Sequence, residues 1–289
     1  MILLLTILLT LYNAQACPTQ CNCNTPRTVS CRNRGFHHFP SGVPSDTEDL
    51  VLAMNPLGSL NQTHLSRLTS LKHLDISGCS IKYLAPDTFS SLENLVTLQL
   101  QVNLLRVIPT GLFRSLFKLI ILHLDKNRLT SIQTQAFHDL IKLEHLTLNG
   151  NFLSNLDSSL FKKSGALKQL SISDNRLTKI HSQNFKGLGN LVAFELSNNS
   201  IASIGCNTFA NMHHLLFLNL RVNKLTALES CYFFGLQNLK QLVLSENKID
   251  LKLVNPIDPE MFLNIWEVYK LSISATVALK LFHPEYSAS

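Results

Sequence analysis

The sequence predicts an α/β solenoid: a curved horseshoe with a parallel sheet on its concave side and turns with short 3₁₀ segments on its convex side. Three columns of residues carry that prediction. The pattern L-x-x-L-x-L-x-x-N-x-L fits nine times, its ninth position falling at Asn55, Cys79, Asn103, Asn127, Asn151, Asn175, Asn199, Asn223 and Asn247, always 24 residues apart. A phenylalanine column keeps the same interval through Phe89, Phe113, Phe137, Phe161, Phe185, Phe209 and Phe233, with Leu65 in the first unit. Between them runs an aliphatic column: Leu57, Ile81, Leu105, Leu129, Leu153, Leu177, Ile201, Leu225 and Ile249. Fixed self-similarity at this period marks a coil in which each unit buries its apolar face only against its neighbours.

Within a unit, the L-x-L alternation has the period of a strand, and strands of successive units stack in parallel about 4.8 Å apart. An eleven-residue pattern in a 24-residue unit leaves 13 residues to return to the next strand. That is too few for a full helix with its loops, hence the turns and 3₁₀ segments. The asparagine column answers a backbone need. Where the chain leaves each strand, inward-facing N–H and C=O groups lack a sheet partner. A carboxamide offers both a donor and an acceptor, where an unmet group costs about 1–3 kcal/mol.

Taken in chain order, residues 1–16 read as a secretory signal. An apolar run from Ile2 to Leu11 precedes Ala14-Gln15-Ala16, the small-x-small pattern of a cleavage site, which leaves Cys17 first. Residues 17–46 form a Cys-rich cap, with Cys17, Cys21, Cys23 and Cys31 close enough for a disulfide knot. Zinc is the rival reading, but C-x-C does not match the usual ligand spacing. Residues 47–262 hold the nine 24-residue units, and 263–289 a degenerate tenth unit and tail with no Cys-rich C-terminal cap. Cys206 and Cys231 fall seven and eight residues after Asn199 and Asn223. Neighbouring units bring such positions to roughly 5–7 Å, within disulfide range. Cys79 is left as a buried thiol in an asparagine position.

The cap "CPTQCNCNTPRTVSC" followed by the repeats resembles extracellular leucine-rich-repeat proteins with an N-terminal Cys-rich flanking domain. The resemblance covers Cys17 to about Ile249. It implies the pairings Cys17–Cys23 and Cys21–Cys31, a curved solenoid that binds protein ligands mostly on its concave face, and no catalysis.

Composition narrows function further. At 45% hydrophobic and 15% charged the chain is globular. The formal charge of +6 is modest, and Lys and Arg are spread along the chain, so no nucleic-acid groove is indicated. Recognition must come from exposed strand positions, which are mostly polar. Two groups stand out: Ile121, His123 and Asp125 on one strand, and Phe217, Asn219 and Arg221 on another, with His145 on the same face. Exposed aromatic and Arg residues among polar neighbours suit a protein interface. Asp75, His123 and His145 share that face without a nucleophile or acidic pair fixed beside them, so neither an enzyme nor a metal site is expected. N-glycosylation signals occur at Asn61 and Asn198. The expected protein is an extracellular protein-binding module, secreted or at the cell surface, of adhesion or receptor type. It needs no cofactor, nucleic acid or small-molecule substrate. A structural matrix component or an innate-immune pattern-recognition protein is the alternative.

Overall fold

The computed structural model describes residues 17–249. The leader expected at 1–16 and the degenerate tenth unit lie outside the described residues. Ten short strands form one all-parallel sheet: β1 (Thr28–Ser30), β2 (Asp49–Val51), β3 (His73–Asp75), β4 (Thr97–Gln99), β6 (Ile121–His123), β8 (His145–Thr147), β9 (Gln169–Ser171), β11 (Ala193–Glu195), β13 (Phe217–Asn219) and β14 (Gln241–Val243). From β2 onward each strand pairs with the one 24 residues later, so Leu50 lies beside Leu74, and Leu74 beside Leu98. Successive side chains of a strand point to opposite faces. The middle residue is therefore buried in every strand of the repeats, and its two neighbours stay on the concave side.

The cap is not a separate knot. Its strand β1 extends the sheet, Thr28–Ser30 pairing in register with Asp49–Val51. Val29 and Cys31 are buried there and cover the apolar end of the first repeat. Cys17 is joined to Cys23 and Cys21 to Cys31, with Cα separations of 5.9 and 4.3 Å. A third bridge, Cys206–Cys231 with Cα atoms 4.8 Å apart, staples two neighbouring convex turns. Cys79 is free and buried.

The asparagine column is a continuous ladder. Asn151 donates through Nδ2 to the carbonyls of Leu124 and Leu148, both at 3.0 Å, and its Oδ1 accepts the Leu129 N–H at 3.0 Å. The Leu148 carbonyl also accepts from Asn175, so each rung shares a carbonyl with the next. Cys79 fills the rung only in part. Its Sγ reaches the Leu52 carbonyl at 3.3 Å, but it offers no acceptor, and the Leu57 N–H turns back to the carbonyl of Asn55. Before each ladder residue the backbone is left-handed, from Met54 through Glu246, with φ between 50° and 66°. Gly78, Gly150, Asp174 and Asn198 suit that conformation; the β-branched Val102 and Val222 do not.

The phenylalanine column is buried throughout but changes character part-way. Phe89, Phe113, Phe137 and Phe161 stack in series with centroids 6.1–6.4 Å apart. Phe185 instead meets Phe194 edge-on at 5.0 Å, and Phe194 meets Phe209 at 6.5 Å. Phe194 occupies a position that is leucine in the other repeats, and its larger ring enters the column. Among the described residues the convex side carries one short helix, α1 (Gln62–Leu65), and 3₁₀ turns at Ser182–Phe185 and Ser230–Tyr232. Two small parallel sheets, β5 (Val107–Ile108) with β7 (Ser131–Ile132) and β10 (Lys179–Ile180) with β12 (Ser203–Ile204), were not expected from the repeat pattern. They form where the fifth residue after the ladder position is isoleucine. The other repeats place Leu60, Leu84, Leu156 or Leu228 there. β-Branching at Ile108, Ile132, Ile180 and Ile204 favours extended backbone, and the pairing follows. No helix among the described residues is long and apolar enough to cross a membrane.

Candidate functional site

The core columns are consumed by packing, and the outward positions of the concave strands form the candidate surface. Their middle stretch forms a hollow of about 490 Å³ lined by Ile121, His123, His145, Thr147, Gln169, Ser171, Ala193 and Glu195. It runs across β6, β8, β9 and β11, and Phe217 and Asn219 of β13 adjoin it through Ala193 and Glu195. The two residue groups singled out from the sequence are thus ends of one surface.

Hydrogen bonds order the polar side chains. Asp125 accepts the Asn149 N–H at 2.8 Å and the hydroxyl of Thr147. Because Thr147 gives its one proton to Asp125, the contact from His123 Nδ1 at 2.9 Å is a donation to Thr147 Oγ1. A hydroxyl nucleophile needs the reverse order, donating to an imidazole that a carboxylate then orients. The trio therefore fixes a surface shape and does not activate Thr147. His145 is held in the same way, its Nδ1 2.9 Å from Gln169 Oε1.

At the other end, Asn219 Oδ1 accepts the Arg221 N–H at 2.9 Å. The Arg221 guanidinium is already occupied: Nε lies 2.9 Å from Glu246 Oε1, and Nη2 contacts the same oxygen. Phe217 is half-buried between Ala193 and Gln241 of the adjoining strands. Burial raises the Glu195 carboxyl above the usual range, and a hydrogen bond from Asn219 opposes part of that rise. Burial also pushes the Cys79 thiol up to about 11, which keeps it protonated and unreactive. Thr147, Gln169, Ser171 and Glu195 were present in the exposed columns of the sequence but carried no signal of their own there. Their part in the hollow comes from lying one repeat apart.

The concave positions carry Asp49, Asp75, Asp125 and Glu195 against Arg32, which pairs with Asp75, and Arg221, the reverse of the chain's overall positive sign. Of the two glycosylation signals, Asn61 is exposed and caps α1, its Oδ1 accepting the His64 N–H. Asn198 is exposed at the lip of the sheet, with Nδ2 2.5 Å from Asp174 Oδ1.

Residues 16–44 match the leucine rich repeat N-terminal domain, and 58–176, 106–240 and 154–279 match the BspA type leucine rich repeat region, six copies in all. The chain belongs to the leucine-rich-repeat family. Its similarity to individual proteins of the family is partial. It is 38% identical to mouse (Mus musculus) CD180 antigen over 79 residues, covering 27% of this chain and 12% of that protein. It is 36% identical to zebrafish (Danio rerio) keratocan over 100 residues, covering 33% and 28%. With rat (Rattus norvegicus) reticulon-4 receptor-like 1 it shares 36% over 88 residues, covering 30% and 19%. The matched part of this leucine-rich-repeat chain thus spans between about a tenth and under a third of those relatives' lengths. Among solved structures, a complex of TLR13 with ssRNA13 aligns with a TM-score of 0.59 and 25% identity, covering 78% of this chain and 36% of that one.

Proposed function

We propose that this leucine-rich-repeat chain is an extracellular protein-recognition module whose partner lies against the concave sheet, from Ile121 on β6 to Phe217 on β13. The observation that carries this reading is the continuous hollow across four strands, walled by side chains already held by His123–Thr147–Asp125 and His145–Gln169 contacts. Preorganised polar groups lose little freedom on binding, and half-buried Ile121 and Phe217 supply apolar area at either end. The disulfides fit an oxidising compartment. The RNA of the TLR13 complex belongs to that protein. On this chain the acidic excess of the concave face opposes a phosphate backbone.

Arg221 contributes less than its type suggests, because a partner carboxylate must displace Glu246. The test is affinity capture of extracellular proteins, followed by binding measurements on variants. Ile121→Ala combined with Phe217→Ala is expected to weaken the captured partner by about thirtyfold, roughly 2 kcal/mol, while Lys162→Ala on the convex side has no effect. Equal affinities for the two variants would place recognition elsewhere.

A further inference from the structure

The Lys and Arg residues that look scattered along the sequence are brought into line by the coil. In the eight repeats that begin at Asn55 and end before Asn247, the five positions after each ladder residue hold Lys82, Arg106, Arg128, Arg176, Lys179 and Lys224, and no Asp or Glu. All six are exposed. None takes part in any of the eight ion pairs among the described residues. The flank that leads into the strands behaves differently: there Lys72 is bound to Glu48 and Lys168 to Glu144.

The flank is continuous in space, although the repeats after Asn151 and Asn199 add no cation to it, and Lys82, Arg106 and Lys179 stand two or three residues further from the ladder than Arg128, Arg176 and Lys224. On this flank the first N–H after one ladder residue donates to the carbonyl of the preceding repeat, as in Arg128 to Leu105, Phe152 to Leu129, Arg176 to Leu153 and Lys224 to Ile201. With repeats about 4.8 Å apart, Lys82 to Lys224 covers roughly 30 Å. The row lies where the chain turns away from the concave strands, so its occupancy leaves the proposed protein-binding face open.

We infer that this flank binds a linear sulfated polysaccharide along the row of unpaired cations. A row of exposed cations without counter-charges attracts an extended polyanion and draws much of its affinity from released counterions. Two observations favour a sulfated sugar chain over single-stranded nucleic acid. The disulfides place the protein in an oxidising, extracellular-type compartment. Recognition of single strands also relies on successive aromatic faces open for base stacking, and the row has just two rings, far apart: Tyr83, which is exposed beside Lys82, and Phe152, over which Arg176 lies with Cζ 4.5 Å from the ring centroid.

The test uses the full chain and immobilised heparin as the probe. The combined variant Arg128→Glu, Arg176→Glu, Lys179→Glu is compared with Arg114→Glu, Lys162→Glu, Lys186→Glu, which changes the charge equally on the convex side. The neutral set Arg128→Gln, Arg176→Gln, Lys179→Gln, checked for an unchanged melting temperature, guards against misfolding. The expected result is a loss of heparin affinity of roughly tenfold or more, with a weaker salt dependence, for both flank variants and not for the convex one. Equal retention of the flank and convex variants would overturn the inference. So would tighter binding of single-stranded RNA, or of phosphatidylserine vesicles, than of heparin through the same residues.

Discussion

At the scale of single residues, Asn151 shows why the repeats tolerate a polar group in their interior. Its removal leaves the carbonyls of Leu124 and Leu148 one partner each, from Asn127 and Asn175, but strips the Leu129 N–H of its acceptor. Asn151→Leu is expected to destabilise the chain by about 2 kcal/mol or more, measured by urea unfolding, because a buried donor is left unmet. Glu195 makes the opposite case. Its carboxyl titrates above the ordinary value because burial penalises the charge, so its contribution to stability is complete below the unfolded-state value and is lost as pH rises through the raised one. Glu195→Gln is therefore expected to melt higher than the parent at neutral pH. The difference should close as the pH falls below the normal glutamate range, and a gap independent of pH would assign the effect to packing. The ladder was legible in the sequence because its spacing is fixed. The environment of Glu195 was not, since it depends on Phe194 filling the core beneath and Asn219 standing one repeat away.

At the scale of elements, the same 24-residue pattern makes each strand, yet local chemistry decides what surrounds it. Strand positions and the buried phenylalanine column follow from period alone. The small sheets of β5 with β7 and β10 with β12 depend on single Ile-for-Leu choices, which a consensus pattern averages away. The change from stacked to edge-on rings at Phe185 comes from one large residue in a leucine position. The convex turns that carry Cys206 and Cys231 lie in repeats seven and eight, and their bridge closes a loop with a sequence separation of 25. Chain-entropy reasoning gives such a link about 3 kcal/mol. Cys206→Ala with Cys231→Ala should lower the unfolding free energy by about that amount in denaturant titration without moving the strands. Parent-like stability would mean that the bridge adds nothing beyond the packing of the two turns.

At the scale of the whole molecule, stacking turns sequence intervals into surfaces. Ile121 and Phe217 are four repeats apart in the chain and belong to one concave face. Cations that seem dispersed along the sequence form one flank. The fold was legible because every unit repeats the same core. The surfaces were only half legible: which side chains stand out can be read from the columns, but which are already taken cannot. Arg221 is the clearest instance, since its pairing with Glu246 reaches across to the next repeat.

Placing the partner on the concave sheet is the central claim, and a glycan wedge tests it most directly. His145→Asn completes an Asn-x-Thr signal with Thr147 in the middle of the hollow, and Lys162→Asn completes an Asn-x-Ser signal with Ser164 on the convex side. Both variants, produced with glycosylation verified by mass, are assayed against the captured partner. Loss of binding for His145→Asn with full binding for Lys162→Asn is the predicted result. Full binding by the glycosylated His145→Asn variant would contradict the claim.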